Sequence, residues 1–182
     1  MKVKIETPLV LEQAKKLRAG DIVEITGTIY TARDAAHKRM LTEYEETGKL
    51  PFDIKNAVIY YAGPAPEKPG MVIGSAGPTT SYRMDAYAPK LIELGQTGMI
   101  GKGARNQQVV DTMKKYGAVY FGATGGAGAL LANHIKKSEV IAYEDLGAEA
   151  IRKLYVKDFP AIVIIDSLGN NLYETEPPKY RQ

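Results

Sequence analysis

Residues 21–48, DIVEITGTIYTARDAAHKRMLTEYEETG, change hydrophobic period partway along, and the class of the fold turns on that change. The first ten are rich in β-branched residues and partly alternate, which reads as a strand bent at Gly27. From Thr31 onward Ala35, Ala36, Met40, Leu41 and Tyr44 recur at helical spacing. Thr31 with Asp34 three positions on has the form of a capping box, and Gly48 supplies the stop. A strand running straight into an amphipathic helix is the first half of a strand–helix–strand unit.

The flanks repeat the theme. Upstream, Thr7-Pro8 and LVLEQAKKL predict a helix with Thr7 as N-cap, stopped near Gly20. Downstream, AVIYYAG (57–63) predicts a second strand, GPAPEKPG (63–70) a loop and MVIGSAG (71–77) a third strand. A short helix is expected from Tyr87 to Leu94, then a glycine-punctuated loop at GMIGKGA (98–104). ARNQQVVDTMKKY follows as an amphipathic helix with Val109, Val110, Met113 and Tyr116 on one face. GAVYFGA (117–123) reads as a buried strand, GGAGALLANHI as a glycine-started helix, and SEVIAYEDL as a strand or extended segment. GAEAIRKLYV (147–156) reads as a short helix; PAIVIID (160–166) and LYE (172–174), joined by SLGNN, read as a terminal hairpin. Strands alternate with helices, so the class is α/β: a single domain over 1–182, its ordered core about 7–174, its tail 175–182 loose.

Composition excludes several function classes. The 182 residues are 45% hydrophobic and 25% charged, an ordinary globular balance. No apolar run approaches a membrane span, and MKVKIETPL lacks the apolar core of a secretory leader. The absence of cysteine removes disulfides and thiolate ligands, fits a reducing cytoplasm, and with two histidines argues against a self-contained metal site. A net charge of +3, without a stripe of basic and aromatic residues, suits a small anion better than nucleic acid.

Three loops carry chemistry, and the chain ends of strands are where ligand-binding groups gather in α/β sheets. In TARDAAH, Arg33 can grip a carboxylate beside a helix N-terminus, or simply pair with a surface acid. In GSAGPTTSYRMD (74–85), glycines and proline force an irregular turn carrying Thr79, Thr80, Ser81 and Arg83, which reads as an anion site or as a loop with an N-cap. In MIGKGA, Lys102 sits between glycines, an arrangement that ordinary exposed turns share. GATGGAGA (122–129) is out of register for G-x-G-x-x-G and reads as close helix packing. His37 and His134 read as structural histidines, His37 in a supporting place. Arg33, Arg83, Lys102 and the hydroxyls suit a small dianion but lack an obvious base.

In order, GDIVEITGTIYTARDAAHKRM, YYAGPAP, GSAGPTTSYRMD, GMIGKG, GAVYFGATGGAGAL and FPAIVIIDSLGNNLY resemble the β subunit, or C-terminal part, of class I iron–sulfur fumarate hydratases. The similar L-tartrate dehydratase β subunit shares the pattern, which spans about Thr7 to Tyr173. The resemblance implies a swivelling β/β/α three-layer domain and a hydro-lyase that reversibly hydrates fumarate to L-malate. It implies a cytoplasmic heteromer in which a separate α subunit holds a [4Fe–4S] cluster through three cysteines. The open iron of that cluster is a Lewis acid, and this chain binds no metal. Arg33, Arg83 and Lys102 match the family's substrate-carboxylate ligands, and Thr79 matches its catalytic base. An alkoxide at Thr79 would lean on Arg83 and the Gly77–Thr80 turn. Asp34 matches either an orienter of Arg33 or a helix cap; Tyr82 stands where relatives often carry a small residue. The sister reading is L-tartrate dehydratase, giving oxaloacetate. Readings of other classes are a small-anion-binding module and a purely structural partner. The isolated chain is expected to form homodimers through the face its partner would cover.

Overall fold

The computed structural model describes residues 2–123 and 128–180. Residues 21–48 behave as their pattern demands. The strand β2 (Ile22–Thr31) buries alternate residues, then hands over to the helix α2 (Asp34–Thr47), which Gly48 ends in the left-handed conformation. Gly27, at φ 130°, marks a break in the register of β2, the expected bend. β3 (Val58–Tyr60), α3 (Ala88–Glu93), β4 (Gly98–Gly101), α4 (Gln107–Tyr116) and β5 (Val119–Ala123) continue the alternation. β2, β3, β4 and β5 lie side by side, all parallel.

Several sequence expectations give way here. Residues 2–7 form a strand, β1 (Lys2–Thr7), parallel to β2, so Thr7 pairs with Gly27 rather than capping a helix. The following helix, α1 (Leu11–Lys16), begins after Val10 with no side-chain cap and ends at Leu17, before Gly20. Arg33, not Thr31, holds the N-cap position of α2. Thr31 is the last residue of β2, and its hydroxyl accepts a hydrogen bond from the Arg152 amide at 3.1 Å. Residues 71–77 make no strand; their backbone is tied instead by the Ala65 amide to the Ser75 carbonyl at 2.9 Å and by the Ala76 amide to the Gly128 carbonyl at 3.1 Å. GMIG, expected as loop, is the buried strand β4: a Cβ at Gly98 would press on Val58, and one at Gly101 on Tyr61 and Ser81.

The largest correction lies near the C-terminus. After α5 (Gly128–Ala132) and β6 (Ile135–Ala142), residues 147–156 do not form the expected helix; 147–149 only close a 3-10 turn, Glu144–Glu149. Most of 147–156 enters a 15-residue strand, β7 (Ile151–Ile165). Ile151, Leu154 and Val156 are buried on it; the three-residue step from Ile151 to Leu154 imitates a helical repeat. No terminal hairpin forms: Asn171 alone bridges Ile165, and Leu172–Thr175 is a helical turn, α6. Pro177–Tyr180 adds another, α7. The expected helix start within GGAGA falls at residues 124–127, outside the described residues.

β7 changes the architecture. It runs antiparallel to β5, to β2 and to β6, so the ladders β2–β3–β4–β5–β7–β2 close on themselves, with β1 and β6 attached. Alternate residues then feed two cores. Val58, Tyr60, Ile100, Val119 and Phe121 pack with Leu9, Ala14, Leu17 and Leu131 on one face. Ile59, Tyr61, Met99 and Tyr120 pack on the other, under Met40 of α2, Leu91 of α3 and Val109 and Met113 of α4. The result is a single mixed α/β domain. Among the described residues no helix is long and apolar enough to cross a membrane.

Candidate active site

β2, β3 and β4 are parallel neighbours, so the chain leaves all three on the same side of the sheet, where ligand-binding groups gather in α/β folds. Arg33 follows β2 at the entry to α2. Lys102 directly follows β4, with its side chain exposed. Thr79 comes from the long segment after β3, where its amide donates to the Tyr61 carbonyl at 2.6 Å. Thr80 and Lys102 form a parallel bridge, and the Ser81 amide donates to the Lys102 carbonyl at 2.8 Å. This extra rung brings the threonine turn and the lysine turn together.

A 3-10 turn, Ser81–Met84, then swings Arg83 back toward α2. There its guanidinium meets the Asp34 carboxylate at 2.7 Å. Asp34 is therefore neither the helix cap nor the partner of Arg33; it opens α2 and pairs with Arg83. Arg33 instead faces Glu149, Nε to Oε1 3.8 Å. Of the Gly77–Thr80 turn, Pro78 has no amide hydrogen and Thr79 has spent its own. Anion binding by this backbone can draw at most on Gly77 and Thr80. Tyr82 is 65% exposed and stands out from the fold.

His37 is fully buried one turn into α2. Its Nδ1 lies 2.8 Å from the Arg33 carbonyl, which can only accept, so Nδ1 carries the hydrogen. Burial chiefly, with the nearby Arg105 charge, lowers its pKa to about 4 against the pull of the Arg33 carbonyl and Asp34. The ring is neutral and braces the backbone at Arg33. His134 bonds the Lys157 carbonyl at 3.0 Å, far along the chain from these loops.

A buried polar network beneath the loops was not singled out from the sequence. Arg105 donates through Nε to Asp85 at 2.7 Å and through Nη2 to the Tyr61 hydroxyl at 3.3 Å, and its guanidinium lies over the rings of Tyr61 and Tyr120. The second Asp85 oxygen accepts the Asn106 amide at 2.8 Å. Burial pushes the Tyr120 phenol up, so it stays protonated and donates to the Gly103 carbonyl at 2.8 Å while accepting from Ser81 at 2.8 Å. The network fastens the 81–85 turn to the 101–106 turn. Asp85 lies inside the quoted GPTTSYRMD motif, and Arg105 three residues after Lys102. Proximity to the motifs was the available signal. Glu149 had none.

Gly122 and Gly128 carry the described part of the GATGGAGA reading. A Cβ on Gly122 would press on Ile164, and one on Gly128 on Ser75 and the Gly77 amide. Those glycines serve close packing, Gly128 against the 75–77 segment rather than the sheet.

The comparisons with known proteins agree with this arrangement of motifs. Residues 1–176 match the family model described as Fumarase C-terminus. An anaerobic class I fumarate hydratase of Escherichia coli K12 is 43% identical over 179 residues, covering 96% of this chain and 32% of the relative. An aerobic class I fumarate hydratase of Salmonella typhimurium is 40% identical over 178 residues, covering 96% and 31%. A Methanocaldococcus jannaschii protein, whose name proposes an L(+)-tartrate dehydratase β subunit, is 42% identical over 172 residues, covering 91% of this chain and 88% of its own. The chain thus spans about a third of the length of the fumarate hydratases it matches. On its motifs, and on a match over nearly its whole length, the chain belongs to the Fumarase C-terminus family.

Proposed function

We propose that this chain is the β half of an iron–sulfur hydro-lyase that reversibly hydrates fumarate to L-malate in the cytoplasm. It would act together with a cysteine-bearing α chain over which this domain swivels as a β/β/α lid. The observation that carries the reading is the convergence, after three adjacent parallel strands, of Arg33, the Asp34–Arg83 pair, the Thr79–Thr80 turn and Lys102. These are the groups a dicarboxylate needs: guanidinium forks for planar carboxylates and an ammonium as a point charge. The donor set of this chain does not suit a [4Fe–4S] cluster. It has no cysteine, and among the described residues no three His, Asp or Glu side chains come together. The cluster is assigned to the α chain.

On this reading Arg33, Arg83 and Lys102 hold the two carboxylates, and Thr79 takes the proton from malate carbon 3. An alcohol is a poor base at neutral pH. Removal of its proton depends on cations held nearby, as in an oxyanion hole. Asp34 already offsets part of the charge of Arg83, which leaves Lys102, unpaired among the described residues, as the strongest uncompensated charge. Asp34, His37, Gly77 and Thr80 are supporting residues: they set the positions of the arginines and of the threonine turn.

One observation favours the sister reaction, L-tartrate to oxaloacetate. The relative whose name proposes an L(+)-tartrate dehydratase β subunit is matched over 88% of its own length, the fumarate hydratases over only about a third of theirs. Anaerobic co-expression with the α chain and cluster reconstitution separate the two, by following fumarate absorbance with L-malate and assaying L-tartrate in parallel. Malate turnover that needs both chains supports the fumarase reading, and a preference for tartrate moves it to the sister enzyme. No turnover of either, with cluster intact and chains co-purifying, overturns both.

A further inference from the structure

We infer that Glu149 is a positioning residue: it aims the Arg33 guanidinium and is itself delivered by the segment between β6 and β7. The inference rests on the reading of Arg33 as a carboxylate ligand and extends it to a residue far away in the chain. Beside Arg33 lies the bare backbone of Gly63, where a Cβ would stand 2.6 Å from Nη1 and 2.9 Å from Cδ of Arg33. That same Cβ would come within 3.2 Å of the Ala148 carbonyl, so the 148–149 backbone borders the same small space. Glu149 itself presents Oε1 at 3.8 Å from Arg33 Nε and at 3.5 Å from the Ala35 amide, in the first turn of α2.

The segment that carries Glu149 is a fixed strap. Asp145 takes two hydrogen bonds from Arg39 of α2, at 2.8 and 2.7 Å. The Tyr143 hydroxyl donates to Glu43 at 2.7 Å, and the Arg39 guanidinium lies 4.8 Å from the Tyr143 ring centroid. Its turn needs a left-handed Tyr143 and, at Gly147, φ 61° with ψ −120°, a conformation essentially restricted to glycine. Such anchoring holds a side chain in one place instead of letting it gate the site.

The contact itself is ionic, not a hydrogen bond. Arg33 Nε is buried and has no hydrogen-bond partner among the described residues. An acid standing off the Nε edge orients the fork while leaving the η nitrogens for a ligand carboxylate. Asp34 holds Arg83 by a direct 2.7 Å contact, so each of the two arginines has its own acidic tether.

The test uses the full chain at low ionic strength, with fumarate as the probe and calorimetry as the readout. Glu149→Gln is expected to weaken fumarate binding about tenfold with an unchanged melting temperature, and Arg33→Ala to weaken it at least as much. The decisive measurement is the double variant, which is expected to bind no more weakly than Arg33→Ala alone, since Glu149 acts only through Arg33. Gly63→Ala, whose Cβ would crowd Nη1 and Cδ of Arg33, is expected to weaken binding as well. Wild-type or tighter binding by Glu149→Gln, or an additive loss in the double variant, overturns the inference while leaving Arg33 as a ligand. Undiminished binding by Arg33→Ala, or no saturable binding by the wild type, removes the ligand reading and the inference with it.

Discussion

His37 is held in a place that disfavours its taking a proton. Its ring is wholly buried, its Nδ1 hydrogen is committed to the Arg33 carbonyl, and its Nε2 finds no partner among the described residues. The folded imidazole titrates near pH 4, chiefly through desolvation, whereas in the unfolded chain it returns to about 6.5. Between those values the unfolded state takes up a proton that the folded state refuses. The contribution is therefore whole above about pH 6.5 and lost as pH falls toward 4. The shift corresponds to about 3 kcal/mol. Urea unfolding of wild type and His37→Asn, which keeps a donor for the Arg33 carbonyl, is expected to show stabilities that converge as pH drops from 7 to 4. Parallel pH profiles would contradict it. The position of His37 beside Arg33 and the grouping of the loops that carry Arg33, Arg83, Lys102 and Thr79 were legible in the sequence, because residue type and loop position are local signals. Glu149 was not, because it reaches Arg33 only through the tertiary course of β6 and β7.

Three pieces of secondary structure meet at Arg105: the Ser81–Met84 turn, the turn after β4 and the start of α4. Its guanidinium is fully buried, and Asp85 almost so. Removing one partner of such a pair leaves an uncompensated buried charge, which costs about 3–5 kcal/mol, whereas replacing both by neutral groups is far milder. Arg105→Met is accordingly expected to lose that much in urea unfolding. The Asp85→Asn, Arg105→Met double variant should recover much of it, yet stay impaired in fumarate binding because the Thr79–Arg83 and Lys102 turns are no longer fastened together. A double variant as unstable as Arg105→Met alone would contradict the pairing. The elements themselves were legible where a strong period met a clear stop, as in α2 and α4. β4 and β7 were not. The glycines of β4 read as loop although they are there to let Val58, Tyr61 and Ser81 approach, and Ile151 with Leu154 mimicked a helix inside a strand whose register shifts against β6.

For the molecule as a whole, the closed ladder has consequences that strand–helix alternation did not reveal. Alternation gave the α/β class, but closure depends on β7 pairing with β2 over residues 22–31 and 152–162, which leaves no local trace in either segment. Both faces of the closed sheet are filled by apolar side chains. The fold should therefore be self-sufficient. The electrostatics of the site belong to the chain as well: Arg33, Arg83 and Lys102 are opposed by Asp34 and Glu149, a modest positive balance toward a dianion. Folding and anion binding should then be separable from the chemistry assigned to the α chain. If the proposed division of labour holds, a chelator that strips a cluster from the complex with the proposed α chain is expected to abolish turnover. The same treatment of the isolated full chain is expected to leave its melting temperature and fumarate affinity where they were, while added salt weakens that affinity by screening. A chelator-induced fall of several degrees in melting temperature, or loss of fumarate binding, would place a metal within this chain and break the division of labour. Unchanged values on both counts would locate the dicarboxylate grip here and the metal chemistry in the partner.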